Sequence, residues 1–165
     1  MTGVQVLDVP PEGRASLEPI LEESFEGWYL RHALRTLKDI DLVREATVDG
    51  RRAGLTMLTS FYDTIGYVFY VAVAPEFRRK KIGGVLLDDA LSHFRDKGLK
   101  EVYASVEGHN VPSVALFKSR GFVPTSFGQV SRRVGKLRAI VLYRRMLVVP
   151  GERLLYKPLD QTALA

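Results

Sequence analysis

The chain of 165 residues contains no cysteine. Disulfides, thiolate metal sites and cysteine nucleophiles are therefore excluded at the outset. Histidine is scarce as well: the three present, His32, His93 and His109, do not stand at metal-ligand spacing, so no metal is expected. No apolar run approaches the roughly 18 residues of a membrane span, and no membrane partner is expected. The opening segment MTGVQVLDVPPEGR lacks the basic-then-apolar order of a signal peptide, which makes a cytoplasmic location the expectation. Internal repeats and low-complexity tracts are missing too. What remains is an ordinary globular composition, 46% hydrophobic and 26% charged. Its length suits one domain that buries roughly 70% of its unfolded surface.

Net charge is +5, unevenly spread. Residues 1–41 hold four cations against eight anions, whereas residues 131–165 hold eight cations against two anions. A basic C-terminal part suits nucleic acid or a polyanionic ligand. Neither a zinc-finger spacing nor an RNA-recognition signature accompanies it, so nucleic acid is disfavoured as a partner.

The stretch from Tyr67 to Leu87, YVFYVAVAPEFRRKKIGGVLL, carries the strongest local signal. Tyr67 to Val73 is an apolar, β-branched and aromatic run that predicts a buried strand. Ala74-Pro75 stops it, because proline donates no ladder hydrogen bond and restricts the residue before it. Arg78-Arg79-Lys80-Lys81 and Ile82-Gly83-Gly84 follow. Ile82, Leu86, Ala90 and Phe94 then fall four apart, the spacing of one helix face. A strand, a basic turn with glycines and a helix start aim backbone N–H groups at one point, which is an anion site. Four adjacent cations also read as a solvated surface run; their place between a strand and a helix favours the anion site.

Elsewhere, Val4–Val9 reads as an edge strand. Residues 12–41 read as two helices broken near Gly27, with Trp28, Tyr29 and His32 as candidates to line a substrate mouth or to fill core. Leu42–Val48, Asp49-Gly50 and Ala53–Phe61 spell a hairpin, and Gly66 marks a second turn. Gly98 suits a helix C-terminus, and Glu101–Val106 a strand. Asn110-Val111-Pro112 suits a capped helix start, with the helix ending at Gly121 before a strand from Phe122. Residues 125–138 read as a polar loop or hairpin, Ala139–Val149 as a strand, and residues 150–165 as a tail behind a single domain of residues 1–149. The fold class is α/β, with a mixed sheet and one parallel crossover around the helix after Gly83.

That order, together with two motifs, resembles the GNAT superfamily of acyl-CoA-dependent N-acetyltransferases over residues 4–149. The first motif is Val71-Ala72-Val73-Ala74-Pro75-Glu76-Phe77-Arg78-Arg79-Lys80-Lys81-Ile82-Gly83, against a strand followed by Q/R-x-x-G-x-G/A. The second runs from Asn110 through Leu116-Phe117 to Gly121-Phe122, against N-x-x-A-x-x-L-Y-x-x-x-G-F. The resemblance implies a mostly antiparallel central sheet flanked by helices, with a splayed strand pair that holds the coenzyme. It places the pantetheine arm on the backbone of Val71, Ala72 and Val73. It places the pyrophosphate on Arg78, Arg79, Lys80, Lys81, Ile82, Gly83 and Gly84, with Asn110, Ser113 and Phe117 flanking the arm. Asn110 reads equally well as a plain helix cap.

Two departures stand out. Lys81 occupies the first glycine position of the motif, and Phe117 replaces a tyrosine able to protonate a departing thiolate. Base candidates implied by the family's strand positions are Tyr67 and Ser105, followed by Glu107 and His109 just beyond. The reading is an N-acetyltransferase that moves an acetyl group from acetyl-CoA to a primary amine, of a small molecule or a protein. A second copy of the chain is a candidate partner. The rival readings are a non-catalytic acyl-CoA-binding module and, behind it, a nucleic-acid-binding protein.

Overall fold

The computed structural model describes residues 3–159. The chain falls into two compact units: Met1–Thr59 with Val68–His93, and Ser60–Tyr67 with Phe94–Ala165.

In the first unit, β1 (Val4–Asp8), β2 (Leu42–Val48), β3 (Arg51–Phe61, as far as Thr59) and the larger part of β4 (Ile65–Val73) lie in that order. β1 runs antiparallel to β2, Val4 opposite Val48, and β2 runs antiparallel to β3, Leu42 opposite Leu58. The expected hairpin turn is present: Asp49 (φ 51°) and Gly50 (φ 76°) both adopt the left-handed backbone that a two-residue connection requires. Gly54 sits where a Cβ would come within 2.6 Å of the Ala72 carbonyl oxygen and 3.0 Å of Leu86 Cδ1. Only a residue without a side chain lets β3 approach the end of β4 and the helix behind it so closely. The N–H of Ala74 then donates to the Ala53 carbonyl at 2.8 Å and fixes where β4 ends.

The helices of this unit are α1 (Glu18–Ser24), α2 (Gly27–Asp39) and α3 (Ile82–Asp96, as far as His93). The break near Gly27 is where the sequence places it, with Phe25 and Glu26 extended. Leu17, Leu21, Ala33, Leu37, Val43, Leu55, Met57 and Leu86 are fully buried and belong to one cluster. Arg14, at 5% exposure, is the exception inside it. Its guanidinium donates to the carbonyls of Leu37 (3.1 Å), Lys38 (3.4 Å), Ile40 (2.8 Å) and Val9 (3.4 Å). Leu37 and Lys38 belong to the last turn of α2, where carbonyls lack helical partners and a cation meets the negative end of the helix dipole.

In the second unit the first residues of β4 neighbour β5 (Glu101–Glu107), followed by β7 (Glu152–Pro158) and β6 (Val123–Pro124). β7 pairs antiparallel with β5, Glu107 opposite Glu152, and with β6, Val123 opposite Tyr156. The helices are α4 (Val111–Ser119), α5 (Phe127–Val134) and α6 (Lys136–Met146). Asn110 caps α4, its Oδ1 accepting from the Ser113 N–H at 3.2 Å.

Three expectations fail in this unit. Residues 125–138, read as a loop or hairpin, contain α5, which opens on a capping box. Ser126 Oγ accepts from the Gln129 N–H at 3.2 Å, and the Gln129 side chain accepts from the Ser126 N–H at 3.0 Å. Ala139–Val149, read as a strand, lies largely in α6, because Ala139, Leu142 and Met146 fall three and four apart and bury one helix face. Its valines suggested β composition, but periodicity decides. The tail from Pro150 contains β7, so Glu152–Pro158 belong to the sheet; the remaining tail residues 160–165 lie outside the described residues. A smaller correction concerns Gly66. It lies within β4 rather than at a turn, and a Cβ there would meet the Phe94 ring at 2.8 Å.

Arg133 ties α5 to the strands. Its guanidinium carbon lies 3.8 Å from the Tyr156 ring centroid, and its Nε donates to the Tyr103 hydroxyl at 3.2 Å. Burial raises the Glu101 carboxyl above its ordinary value, against the lowering pull of the Arg133 charge.

Arg14→Leu is expected to strand those four carbonyls in an apolar interior. Urea denaturation should show a loss of about 2–4 kcal/mol, and an unchanged midpoint would remove Arg14 as the brace of the α2 end.

Candidate functional site

The candidate residues divide between the two units. In the first, β4 stops at Val73 and a short 3-10 turn, Pro75–Phe77, leads toward α3. Phe77 is buried, with Arg51 and Lys80 over its ring at 5.2 and 5.6 Å from the centroid. Arg78 then folds back: its Nε donates to the Val73 carbonyl at 3.0 Å and its Nη2 to the Glu23 carbonyl at 3.3 Å. It braces the turn. All four cations of the run are exposed, and Arg79, Lys80 and Lys81 are the ones not directed at backbone carbonyls in this way.

The backbone of this turn is unusual. Arg79 (φ 61°) and Lys81 (φ 65°) both take the left-handed conformation, which costs a residue with a Cβ roughly 1–2 kcal/mol. Lys81 thus holds the shape that favours glycine at its position. The turn delivers the chain into α3 at Ile82, and the Val85 N–H bonds back to the Lys81 carbonyl at 3.1 Å. N–H groups in the first turn of a helix have no intrahelical acceptor, so those of Ile82, Gly83 and Gly84 are available to an anion beside three cations. Val71, Ala72 and Val73 form the last residues of β4 just before this turn.

The aromatic candidates lie in the same unit. Trp28 is 45% exposed and stacks on His32, with ring centroids 5.2 Å apart and planes 8° apart. Tyr29 meets Trp28 edge-on at 5.0 Å. His32 Nδ1 lies 2.5 Å from the Tyr70 hydroxyl, and the Tyr70 ring meets Phe25 edge-on at 5.2 Å. Tyr70 was not singled out by sequence. Its place in the quoted strand, one residue before Val71, is the signal that could have found it.

The base candidates belong to the second unit. Tyr67 is buried, and its hydroxyl donates to the Met146 carbonyl at 3.2 Å. The hydroxyl offered as a base candidate is thus engaged as a donor to a backbone carbonyl inside the core. Ser105 Oγ donates to Glu152 Oε2 at 2.8 Å, and the same oxygen accepts from the Val149 N–H at 3.0 Å. Glu107 Oε2 pairs with His109 Nε2 at 2.7 Å. Because Glu107 faces Glu152 across the β5–β7 ladder, Ser105, Glu107, His109 and Glu152 make one polar cluster at the end of β5. Glu152 was missed because its segment read as tail. Asn110 and Ser113 meet at the start of α4, while Phe117 is buried edge-on to Phe122, 5.0 Å between centroids.

A pocket of about 570 Å³ in the first unit is lined by Glu45, Thr47, Gly50, Arg51, Arg52 and Glu76, and none of the candidates lines it. Among the described residues, no group of three or more histidines or carboxylates is placed to hold a metal ion. Among the same residues, no helix is long and apolar enough to cross a membrane.

A sequence model of the acetyltransferase (GNAT) family matches residues 12–122. A mycothiol acetyltransferase of Nocardiopsis dassonvillei is 33% identical over 121 residues, a match covering 70% of this chain and 35% of that protein. The chain thus spans about a third of that relative's length. Among solved structures, the ribosomal-protein-S18-alanine N-acetyltransferase from Escherichia coli aligns with a TM-score of 0.72 at 15% identity, covering 97% of this chain and 96% of that one. The PaiA N-acetyltransferase from Thermoplasma acidophilum, solved in complex with coenzyme A, aligns with a TM-score of 0.69 at 16% identity, covering 94% and 99%. These two likenesses concern the fold.

The left-handed Lys81 gives a stability prediction. Lys81→Gly removes the Cβ clash at some entropic cost in the unfolded chain, for a net gain of about 0.5–1 kcal/mol in urea denaturation. Lys81→Val should lose about 1 kcal/mol or more. The reverse order of the two variants would mean that residue 81 does not hold this backbone in solution.

Proposed function

We propose, given that the chain belongs to the acetyltransferase (GNAT) family, that it transfers an acetyl group from acetyl-CoA to a primary amine. The observation that carries the proposal is the turn into α3. Four exposed cations, two of them (Arg79 and Lys81) left-handed, precede the amides of Ile82, Gly83 and Gly84 at one helix start. That donor set suits a pyrophosphate: the amides give directed hydrogen bonds, the helix end and the cations give charge, and Gly83 carries no side chain to hold the ligand away. Among the cations, Arg78 keeps the turn in shape through its two carbonyl bonds, leaving Arg79, Lys80 and Lys81 for the phosphates.

Upstream of that turn, the end of β4 offers backbone groups of Val71–Val73 to the amides of a pantetheine arm. A backbone N–H there would also polarise a thioester carbonyl. Bound acetyl-CoA supplies an activated acyl group with a thiolate as its leaving group. The protein has to hold the acceptor as a free amine and let the thiolate depart. An alkyl amine, with a pKa of about 10.4, is almost wholly protonated at neutrality, so a proton acceptor or a raised pH is required. Within the second unit, Glu107 and Glu152 are the carboxylates of the Ser105 cluster and the candidate proton acceptors among the residues singled out. Phe117 gives no proton to the leaving thiolate, whose basicity near that of a cysteine (pKa about 8.5) lets it leave unassisted.

One related protein is named a mycothiol acetyltransferase and another a ribosomal-protein alanine N-acetyltransferase, which supports keeping both small-molecule and protein amines as acceptors. A cytoplasmic location and a soluble amine acceptor complete the proposal.

Calorimetry with acetyl-CoA tests the coenzyme half. Affinity should fall as salt rises, since phosphate–cation contacts are screened over roughly 10 Å at 0.1 M. Gly83→Val should bind acetyl-CoA about tenfold or more weakly while keeping its melting temperature within a few degrees. Normal binding by Gly83→Val would place the phosphates elsewhere. A free-thiol assay over a panel of amines tests transfer. Binding without thiol release across that panel would make the chain an acyl-CoA-binding module.

A further inference from the structure

We infer that the outer face of α6 docks the protein reversibly on an anionic lipid surface, lying on that surface rather than crossing it. The inference goes beyond acetyl transfer and does not depend on it. Both α5 and α6 come after Phe122, the last residue matched by the family's sequence model, so that match carries no information about this face.

Two sides of α6 are apolar, and one of them is uncovered. Ala139, Leu142 and Met146 fall three and four apart and are buried. Leu137, Ile140 and Val141 fall three and four apart as well, yet they are 81%, 42% and 37% exposed. With about 3.6 residues per turn, the second row lies on the far side of the helix from the first. One exposed leucine needs no explanation, but three aliphatic side chains in a row on one helix make a ridge. Folding gains little from the apolar surface of this ridge, which leaves it for something outside the chain.

Charge decides what that something is. Between Glu107 and Glu152 the sequence holds eight lysines and arginines and no aspartate or glutamate. Four of these cations belong to α6, and all four are exposed. By helical spacing Lys136 borders the ridge on one side, Arg138 and Arg145 border it on the other, and Arg144 continues the row seven residues after Leu137. Arg138 also lies over the Tyr62 ring, 4.8 Å from its centroid, and Tyr62 is 42% exposed beside Asp63. Aliphatic side chains, arginines and a tyrosine with an apolar ring and a polar tip form the composition of a membrane–water interface.

Other occupants use less of this surface. A second copy docked through the same ridge on a two-fold axis would set like charges against each other. Nucleic acid would use the cations and leave the aliphatic row idle. An acidic protein would need a groove shaped to a convex helix that is already packed on its other side. A lipid surface needs no such match: the aliphatic ends enter the headgroup layer while the arginine heads stay with the phosphates. Lying on a surface requires no apolar span. Three aliphatic residues on an eleven-residue helix give weak, reversible adsorption, to which each nearby cation adds about fivefold.

Co-sedimentation of the full-length protein with vesicles tests the inference. Vesicles of one part phosphatidylglycerol to two parts phosphatidylcholine should bind it saturably, about tenfold or more tightly than pure phosphatidylcholine, and less as salt rises. Leu137→Gln should weaken this binding about threefold to tenfold. The double variant Arg144→Gln, Arg145→Gln should weaken it about twentyfold. These side chains are exposed and stand apart from the coenzyme and base candidates, so unchanged melting curves and acetyl-CoA calorimetry rule out a folding defect. No binding to the mixed vesicles, or equal binding to pure phosphatidylcholine, overturns the inference. Undiminished binding by Leu137→Gln overturns it too, because charge alone would then be at work. A duplex RNA bound more tightly than the vesicles, and equally by Leu137→Gln, would assign the face to nucleic acid instead. A dimer in light scattering that Leu137→Gln dissociates, without vesicle binding, would assign it to a second copy.

Discussion

The backbone turn between Phe77 and Ile82 is the constraint from which the candidate site follows. A strand has to end and a helix begin within a few residues, with the helix's unpaired amides left open. Two left-handed residues achieve this, and neither is glycine. The strain they carry is offset by neighbours that leave the chain little alternative. Phe77 is buried under Arg51 and Lys80, Arg78 is bonded to two carbonyls, and the Ala74 amide is tied to β3. Gly54 is part of the same arrangement, because any side chain there would push β3 off the Ala72 carbonyl. Strain of this kind persists where surrounding structure over-determines it, and such places are enriched in ligand sites.

Beside surface ion pairs such as Arg52–Glu45, several arginines in this protein work on backbone carbonyls and ring faces. Arg14 gathers carbonyls at the end of α2, Arg78 braces the turn, Arg133 lies on Tyr156, and Arg44 makes a two-bond fork to Asp89 at 2.8 and 2.7 Å. Guanidinium suits these tasks because it is planar and always charged, and presents donors in fixed directions. The consequence for function is a division within the run of four cations. All four are exposed and keep their charge, but the guanidinium donors of the first are directed at backbone carbonyls, which leaves the other three freer to reach a ligand.

Much of the first unit was legible. The Asp49-Gly50 hairpin, the break at Gly27, the stop at Pro75 and the helix from Ile82 all rest on local rules, in which a few adjacent residues limit the backbone. The Asn110 cap in the second unit belongs with them. The C-terminal third was misread because its signals compete locally. Ser126 and Gln129 are a capping pair only if a helix follows, and Val141, Val148 and Val149 favour a strand by type while Ala139, Leu142 and Met146 favour a helix by spacing. The strand that pairs with β5 lies beyond, behind the Pro150-Gly151 turn signal, which in the sequence reads as the start of a tail.

The sequence by itself determined the order strand–basic turn–helix, the two family motifs and, through them, the family, because each is a matter of neighbouring residues in a fixed spacing. Tertiary structure alone decided which of the candidate side chains meet one another. Tyr67 became a core phenol bonded to a distant carbonyl, Glu152 came to face Glu107 from far along the chain, and His32 found Tyr70. Those pairings depend on strand register and helix placement. Contacts between residues tens of positions apart leave no local periodicity to read, and only packing brings them within hydrogen-bonding distance.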